Sequence, residues 1–297
     1  MKKGGQMSGG ERRGFLKAAS GAALGLAAAS TVFSQSENSK SAPNKGRGRS
    51  VPPDRGLWIT WYDLPTEGRE EYFSWLHGTY LPDILKRPGY LWAAHYASQD
   101  LEGGAENATR YKHVDQPDVG KGYRYMLLIG AADSSVFGDP VPKLINAALP
   151  EQGKKMLAMR VGERMNLFTE ACRRDGRAHA AYKEGMTGTP CIQVGSFGCE
   201  LAFEEEMHAG YVLQRLPKMC DKASCVRVRK LNSVAGWAKH GVLYEFTSLQ
   251  ARNEHFMKHE DGHPDMKAWG DRVTKKLTHA PNGPNSALRI WPPVPKA

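Results

Sequence analysis

Several motifs of nucleotide-dependent, redox and hydrolytic enzymes are missing from this 297-residue sequence. It has no G-x-x-x-x-G-K-[ST] loop, no dinucleotide-binding glycine fingerprint after a strand and no G-x-S-x-G nucleophile elbow. Its 5 cysteines form neither a C-x-x-C nor a C-x-x-C-H motif. Nucleotide-dependent and serine-hydrolase chemistry, covalent c-type haem and a thioredoxin-like site are therefore disfavoured.

A strongly basic body is also lacking, although the formal net charge is +10. Nine of the 41 Lys and Arg but only two of the 31 Asp and Glu fall in residues 1–50, which leaves 32 bases and 29 acids elsewhere. The positive excess therefore belongs to an N-terminal tail. Because a nucleic-acid surface needs basic residues clustered on the folded body, we expect no nucleic-acid partner.

The sequence has no long apolar run, and its best candidate follows two adjacent arginines. Glu11-Arg12-Arg13-Gly14-Phe15-Leu16-Lys17 precedes the weakly hydrophobic stretch Ala18–Phe33, roughly 16 residues against the roughly 20 that span a bilayer. The pattern resembles a twin-arginine export signal. We predict a signal peptide at 1–35, a flexible linker at 36–53, the twin-arginine translocation machinery as a partner, and a periplasmic protein whose mature form has no membrane span.

Two segments of the remaining chain align without a gap at an offset of 135 residues. Leu81-Pro82-Asp83-Ile84 falls on Leu216-Pro217-Lys218-Met219, and Glu71 falls on Glu206. A shared offset over a long stretch is the signature of an internal repeat. We predict one repeat at 54–175 and a second at 186–297.

Each repeat predicts the same order of elements. Strands are expected at 57–62, 90–96, 123–129 and 161–168, with helices at 69–80 and 141–159; in the second copy, strands are expected at 192–197, 225–231, 241–247 and 286–291, with helices at 203–220 and 265–277. This βαββαβ order predicts an α+β fold of two ferredoxin-like repeats. Helices on one side leave the other face of each sheet uncovered, so we expect the repeats to pack sheet-to-sheet.

The segment Trp75–Tyr90 carries a more specific resemblance. It contains a tryptophan, then Tyr80-Leu81-Pro82, an aliphatic pair and Pro88-Gly89-Tyr90. It resembles the EthD-like proteins of the dimeric α/β barrel superfamily, in which a histidine stands at the position of Tyr80. The resemblance implies an intramolecular dimeric α/β barrel made from a tandem repeat, and a homo-oligomer is compatible with it. The superfamily contains cyclases, isomerases, cofactor-free oxygenases and haem enzymes, so the fold does not name the reaction.

Four side chains are candidates for proton transfer: His77, Tyr80, His95 and His240. His77 lies among apolar residues of the first predicted helix, where partial burial would keep its pKa near neutral. Alternation along the second strand places His95 on the face opposite Trp92. A purely structural role is the alternative for each of the four.

Aromatic and cationic residues divide between the copies. The first copy is rich in aromatic residues, among them Trp61 and Trp92, whereas the second offers Arg227 and Tyr244. Aromatic walls opposite cationic donors predict one asymmetric site for a small aromatic or apolar molecule with an anionic or carbonyl group.

A formal H-E-x-x-H motif, His259-Glu260-Asp261-Gly262-His263, occurs near the C-terminus. Metalloprotease chemistry requires it on a continuous helix, which Gly262 and Pro264 oppose. A looser metal site of His255 and His259 is a weaker alternative.

These observations favour a periplasmic, cofactor-independent lyase, isomerase or cyclase that uses acid/base catalysis on a small aromatic or apolar metabolite. Two alternatives stay open. One is a protein of the same superfamily that binds haem or a divalent metal, and the other is a non-catalytic module that binds a small molecule.

Overall fold

Strands of this protein carry buried side chains on both faces, as the first strand illustrates. In β1 (Gly56–Asp63), Ile59 and Trp61 belong to one hydrophobic cluster, whereas Trp58 and Tyr62 belong to another. The alternation follows from the two-residue period of an extended chain. Both faces of the sheet must therefore be covered.

The computed structural model describes residues 54–99, 111–182, 188–256 and 263–294, all within a compact unit formed by residues 49–297. The predicted signal peptide (1–35) and linker (36–53) lie outside the described residues. None of the described helices combines the length and the hydropathy that a membrane span requires.

The first half, residues 54–182, contains a helical segment after β1 and two short helices before its last strand. Its further elements are α1 (Arg69–Trp75), a π-helical turn (Leu76–Tyr80), α2 (Leu81–Leu85), β2 (Tyr90–Ser98), β3 (Tyr125–Ala131), α3 (Pro142–Ala147), α4 (Glu151–Ala158) and β4 (Val161–Asp175). The helix predicted over 141–159 is divided before Pro150, which has no N–H to continue a helix and stands at the start of α4.

The second half, residues 188–294, repeats this order with one additional short strand before its last strand. Its elements are β5 (Cys191–Cys199), α5 (Glu204–Gly210), a second π-helical turn (Tyr211–Arg215), α6 (Leu216–Cys220), β6 (Cys225–Ala235), β7 (His240–Phe246), α7 (Leu249–Phe256), α8 (Pro264–Thr274), β8 (Leu277–His279) and β9 (Asn285–Trp291). Neither α7 nor β8 was expected from the sequence.

The strands close into a single antiparallel barrel. The order around it is β7-β6-β4-β1-β3-β2-β9-β5, and β5 returns to β7. β8 pairs with the end of β5 beyond β9. The predicted α+β barrel is confirmed, but the two sheets do not simply stack. Their edge strands are hydrogen-bonded, β4 to β6 and β2 to β9.

Edge pairing explains why two strands are longer than predicted. β4 and β6 pair from Leu167 opposite Ala235 to Asp175 opposite Arg227. These residues extend both strands past the predicted ends at 168 and 231. An edge strand presents unpaired N–H and C=O groups, and here each edge satisfies those of the other.

The buried apolar side chains of the described residues form three hydrophobic clusters. One lies between the first-half strands and their helices, and a second occupies the equivalent place in the second half. The third, which includes Trp61, Tyr96, Phe168 and Leu243, lies inside the barrel. The barrel wall therefore separates an interior from two outer layers that the helices cover.

Candidate functional site

A π-helical turn interrupts the first helical segment where a candidate histidine lies. The N–H of Leu81 donates to the carbonyl five residues earlier, and Pro82 follows without an N–H of its own. In the second half the turn Tyr211–Arg215 is likewise followed closely by Pro217. π-helical turns are frequent at functional sites. The first of them carries His77.

His77, His95 and Tyr62 form a chain of hydrogen bonds in the first outer layer. Nε2 of His77 lies 2.9 Å from Nδ1 of His95, and Nε2 of His95 lies 2.9 Å from the hydroxyl of Tyr62. His95 on β2 and Tyr62 on β1 are fully buried, whereas His77 is partly exposed. The chain therefore leads from the surface into the core.

Two aromatic rings stack on the imidazole of His77. The ring centroid of Phe73, one helical turn earlier, lies 5.7 Å away with an interplanar angle of 15°. Trp291, at the end of β9, stacks at 5.3 Å and 11°. Because β9 belongs to the second half, closure of the barrel completes the surroundings of His77.

Burial favours the neutral forms of both histidines. It lowers the pKa of His77 from 6.5 to about 4. It lowers the pKa of His95 well below the usual range, and a positive charge on His77 would lower it further. The pKa of His77 is thus below the near-neutral value expected from sequence, because the ring is more shielded from water. Each neutral imidazole donates one hydrogen bond and accepts one.

A buried guanidinium lies behind this chain. Arg160 donates from Nε to the hydroxyl of Tyr72 at 2.8 Å and from Nη1 to Glu163 at 2.7 Å, and it lies 4.7 Å from the ring centroid of Tyr62. Burial, reinforced by Tyr72, raises the pKa of Tyr62 well above its usual value. The phenol therefore keeps its proton, and its oxygen can accept a hydrogen bond from the Nε2–H of His95.

Tyr80 lies in the same π-helical turn but makes different contacts. Its hydroxyl donates to Oδ1 of Asn146 on α3 at 2.8 Å, and its ring packs 5.2 Å from that of Trp75. Burial raises the pKa of Tyr80 above its usual range. The structure brings His77 and His95 together and holds the Tyr80 hydroxyl against another helix.

His240 lies in the outer layer of the second half. Its Nε2 is 3.2 Å from Oε1 of Glu204, and its Nδ1 is 3.3 Å from Nζ of Lys230. Burial, with a contribution from the positive charge of Lys230, lowers the pKa of His240 to about 4. Tyr244, also on β7, accepts a hydrogen bond from Arg215 at 2.8 Å. The candidate residues of the two halves therefore form separate clusters.

The two candidate tryptophans pack with the interior cluster of the barrel. Trp61 belongs to that cluster, and Trp92 packs against it and donates to Oδ2 of Asp54 at 2.7 Å. Arg227 on β6 donates to Oδ1 of Asp175 at 3.1 Å. The barrel wall separates both tryptophans from His77 and His95. The residues predicted to form one site therefore lie on two sides of the barrel wall.

Of the two histidines in the predicted metal site, one lies within the described residues. His255 lies on α7, and its Nδ1 is buried without a hydrogen-bond partner in the described structure. Its predicted partner, His259, lies outside the described residues. Within 54–99, 111–182, 188–256 and 263–294, no group of three or more His, Cys, Asp or Glu is arranged to hold a metal ion. The His255–His259 pairing stays a prediction.

No site role was expected from sequence for Arg160 or Trp291, and none individually for Tyr62. Alternation from Trp58 does place Tyr62 on the helix-covered face, so its direction was available from sequence. The contact of Tyr62 with His95 could not be predicted from the sequence. β3 lies between β1 and β2, so the register across three strands decides which residues meet. Trp291 reaches His77 only through barrel closure.

No protein-family model and no curated protein matches the sequence. Several solved structures of low sequence identity resemble this fold at TM-scores below 0.5. A monooxygenase-type protein from Fusobacterium nucleatum has a TM-score of 0.49 at 9% identity, covering 80% of this chain and 93% of its own. An anthrone oxidase-like protein has a TM-score of 0.48 at 11% identity, covering 80% and 92%. A chlorite dismutase from Candidatus Nitrospira defluvii has a TM-score of 0.45 at 9% identity, also covering 80% and 92%. These similarities concern the fold alone.

Proposed function

We propose that this protein is an exported, cofactor-independent lyase, isomerase or cyclase that acts on a small aromatic or apolar molecule by acid/base catalysis. The observation that carries the proposal is the hydrogen-bonded chain from Tyr62 through His95 to His77. Its outer end is a partly exposed imidazole, the side chain that most often transfers protons in enzymes.

The chain suits removal and return of a proton. When Nδ1 of His77 takes a proton from a bound molecule, the proton on its Nε2 can pass to Nδ1 of His95. The lowered pKa of His77 makes its protonated form a strong acid that returns a proton readily. Removal at one atom and return at another constitutes an isomerisation, and removal followed by loss of a leaving group constitutes an elimination.

The aromatic surroundings favour a flat ligand. Phe73 and Trp291 already stack on His77, and a planar ring gains from offset or edge contacts with such side chains. We therefore assign the first substrate contacts to these two residues. Roles for Trp61, Trp92, Arg227 and Tyr244 in substrate binding stay predictions, since these residues lie outside the His77 cluster.

We also propose that the two halves are ferredoxin-like repeats of an EthD-like barrel. Two observations support this. The strand order is β4-β1-β3-β2 in the first half and β9-β5-β7-β6 in the second, which is the same order. The π-helical turns Leu76–Tyr80 and Tyr211–Arg215 stand at the predicted offset.

Haem is the second candidate, because one observation favours it. Nδ1 of His77 is the one ring nitrogen of the histidine pair without a hydrogen bond in the described residues. One imidazole nitrogen would be enough for His77 to hold a haem iron but is too few for a divalent metal. If haem is bound, it would supply redox chemistry, and His95 would orient its ligand. A Soret band in the purified protein would favour this candidate over the first.

The acid/base proposal is tested by hydrogen exchange. The full-length protein is incubated in D2O with a panel of small aryl ketones and aryl lactones, and deuterium incorporation at carbon is followed by NMR. We expect His77→Gln to lower the rate at least about 100-fold and His95→Gln to lower it less. His208→Gln, on the exposed face of α5, is the matched control and should leave the rate unchanged.

Three outcomes decide the assignment. Full exchange in a folded His77→Gln variant would refute the role of His77. If Tyr80→Phe lost exchange while His77→Gln kept it in full, Tyr80 and not His77 would be the residue that transfers the proton. A loss in His208→Gln equal to that in His77→Gln would mean that the effect is structural.

Export is tested separately. Arg12→Lys combined with Arg13→Lys should leave the protein in the cytoplasm, because the paired guanidinium groups are the feature read by the export machinery. Cell fractionation measures the distribution. An unchanged periplasmic share would contradict twin-arginine export.

A further inference from the structure

The second half contains a buried amine that the proposed reaction does not use. Lys230 on β6 has no exposed surface, and its Nζ lies 5.8 and 5.9 Å from the ring centroids of Phe197 and Tyr211. Nζ donates to the carbonyl of Leu231 at 2.9 Å and to Oδ1 of Asn232 at 3.4 Å. Among the described residues, none of its hydrogen-bond partners is a carboxylate. A lysine buried in this way is rare unless it is paired.

His240 lies between Glu204 and Lys230 and contacts both. Oε1 of Glu204 is 3.2 Å from Nε2 of His240, and Nδ1 of the same ring is 3.3 Å from Nζ of Lys230. A carboxylate only accepts hydrogen bonds, so it favours the tautomer of His240 that carries its hydrogen on Nε2. Nδ1 then presents a lone pair to the amine. A nucleophile within reach of a base that a third group orients is the arrangement of nucleophilic catalysis.

The surrounding charges act on the amine in both directions. Burial lowers the pKa of Lys230 from 10.5 to about 7, although Glu204 and Cys199 oppose the shift. Lys239, 2.5 Å from Glu204, adds a second positive charge near His240. A substantial fraction of the amine is therefore uncharged, and hence nucleophilic, at neutral pH.

We propose that Lys230 is a nucleophilic amine that forms an imine with a small aldehyde or ketone, with His240 as its base and Glu204 as the residue that orients His240. The ammonium of Lys230 first gives a proton to Nδ1 of His240. The lone pair of the amine then forms a bond to the carbonyl carbon, and the C=O π electrons go to oxygen, which takes a proton from nitrogen. The resulting hydroxyl takes the proton held by His240 and leaves as water. The products are a protonated imine and one water.

The size of the carbonyl compound follows from the burial of the site. Lys230 is wholly enclosed, and the cluster reaches solvent through Glu204 and Lys239, whose side chains are 18% and 60% exposed. A small, neutral or anionic carbonyl compound suits this approach, because Lys239 and Lys230 are both cationic groups. The site is distinct from the His77 cluster, and it belongs to the opposite half of the barrel.

Reductive trapping tests this site. The full-length protein is incubated at pH 7 with acetaldehyde and cyanoborohydride, which adds hydride to the imine carbon and leaves an ethylated lysine. Peptide mass mapping then gives the rate at each lysine. We expect Lys230 to be ethylated at least tenfold faster than Lys86, an exposed lysine paired with Asp83 at 2.7 Å. A rate at Lys230 no greater than at Lys86 would overturn the proposal.

Two variants separate chemistry from packing. Glu204→Gln keeps the shape of the side chain, and we expect it to lower the Lys230 rate severalfold while Lys86 is unchanged. Lys230→Met should abolish the fast label. A fast label in Glu204→Gln equal to that of the parent would refute the role of Glu204. Retention of a fast label in Lys230→Met would refute the assignment to Lys230. The comparison of Lys230 with Lys86 in the parent protein holds even where a variant fails to fold, and none of these results depends on the His77 reaction.

Discussion

Burial of an imidazole favours its neutral form, and this affects the stability of the protein as well as the proposed site. Burial lowers the pKa of His77 and His240 to about 4 and that of His279 to about 3, and it places the pKa of His95 well below its usual range. The ordinary value, 6.5, applies to each of them in the unfolded chain. Protonation therefore favours unfolding at each of these residues.

We expect the protein to lose stability as the pH falls from about 6.5 to about 4. In this window the unfolded chain binds protons that the folded chain excludes, so the free energy of unfolding decreases with decreasing pH. Each such histidine contributes at most about 1.4 kcal/mol per pH unit. Well above pH 6.5 these histidines no longer make the free energy of unfolding depend on pH, because they are neutral in both the folded and the unfolded chain. Urea unfolding at pH 7.5, 6.5, 5.5 and 4.5 measures the slope.

The variants His95→Gln and His208→Gln distinguish this cause from general acid effects. Removal of the buried His95 should flatten the slope between pH 6.5 and 4.5, whatever it does to the stability at pH 7.5. Removal of the exposed His208 should leave the slope as it is. An equal slope in all three proteins would contradict the role of buried histidines.

At the scale of elements, the helical segment after β1 and the one after β5 both contain a π-helical turn, but they differ in how tightly they pack. Gly210, the last residue of α5, lies against Trp269 on α8, so that an added Cβ would come within 2.1 Å of the indole. Gly78, inside the first π-helical turn, would meet nothing within 4 Å. The second segment therefore requires glycine for close packing, whereas the first does not.

We predict opposite stability effects for two glycine substitutions. Gly210→Ala should destabilise the protein by about 1–3 kcal/mol, because the indole of Trp269 must move from a packed position. Gly78→Ala should stabilise it by about 0.5–1 kcal/mol, because alanine loses less backbone entropy in a helical turn. Chemical denaturation of both variants measures the difference. A Gly210→Ala variant as stable as the parent would contradict the close contact.

At the scale of the whole molecule, buried charges stand near the junction of β4 and β6. Arg229 on β6 lies 2.8 Å from Asp54 and 3.2 Å from Glu245, and Glu170 on β4 lies 3.8 Å away. Although burial opposes ionisation, Arg229 and Arg173 lower the pKa of Asp54 to about 2. The cluster therefore links the start of the first half, its last strand and the second half.

Replacement of Arg229 should weaken the whole barrel. Arg229→Met leaves the buried Glu245 and the largely buried Asp54 and Glu170 with less positive charge near them. Removal of one partner of a buried pair costs about 3–5 kcal/mol. The loss should be smaller at pH 4 than at pH 7, because protonation relieves uncompensated carboxylates. Urea unfolding at both pH values measures it.

The matched control is Arg272→Met, which removes an exposed pair with Glu206 and should cost at most about 1 kcal/mol. If Arg229→Met were no more destabilising than this control at pH 7, the buried cluster would not contribute to stability in the way proposed.

Most elements were predictable because they depend on local patterns. The strands at 57–62 and 192–197 and the helix over 203–220 follow from spacing within a few residues, and the structure places elements there. The extra length of β4 and β6 was not predictable, because each grows by pairing with the other. The predicted face of His95 is correct, since its contacts lie opposite Trp92 across the sheet.

The sequence by itself determined the repeated order of strands and helices, the faces on which His95 and Trp92 lie, and the candidacy of His77. These depend on periodicity and composition along one stretch of chain. Only the tertiary structure decided that His95 bridges His77 and Tyr62, that Trp291 covers His77, and that His240 bridges Glu204 and Lys230. The reason is physical: these contacts join residues on different strands and helices, and only strand register and barrel closure bring those elements together.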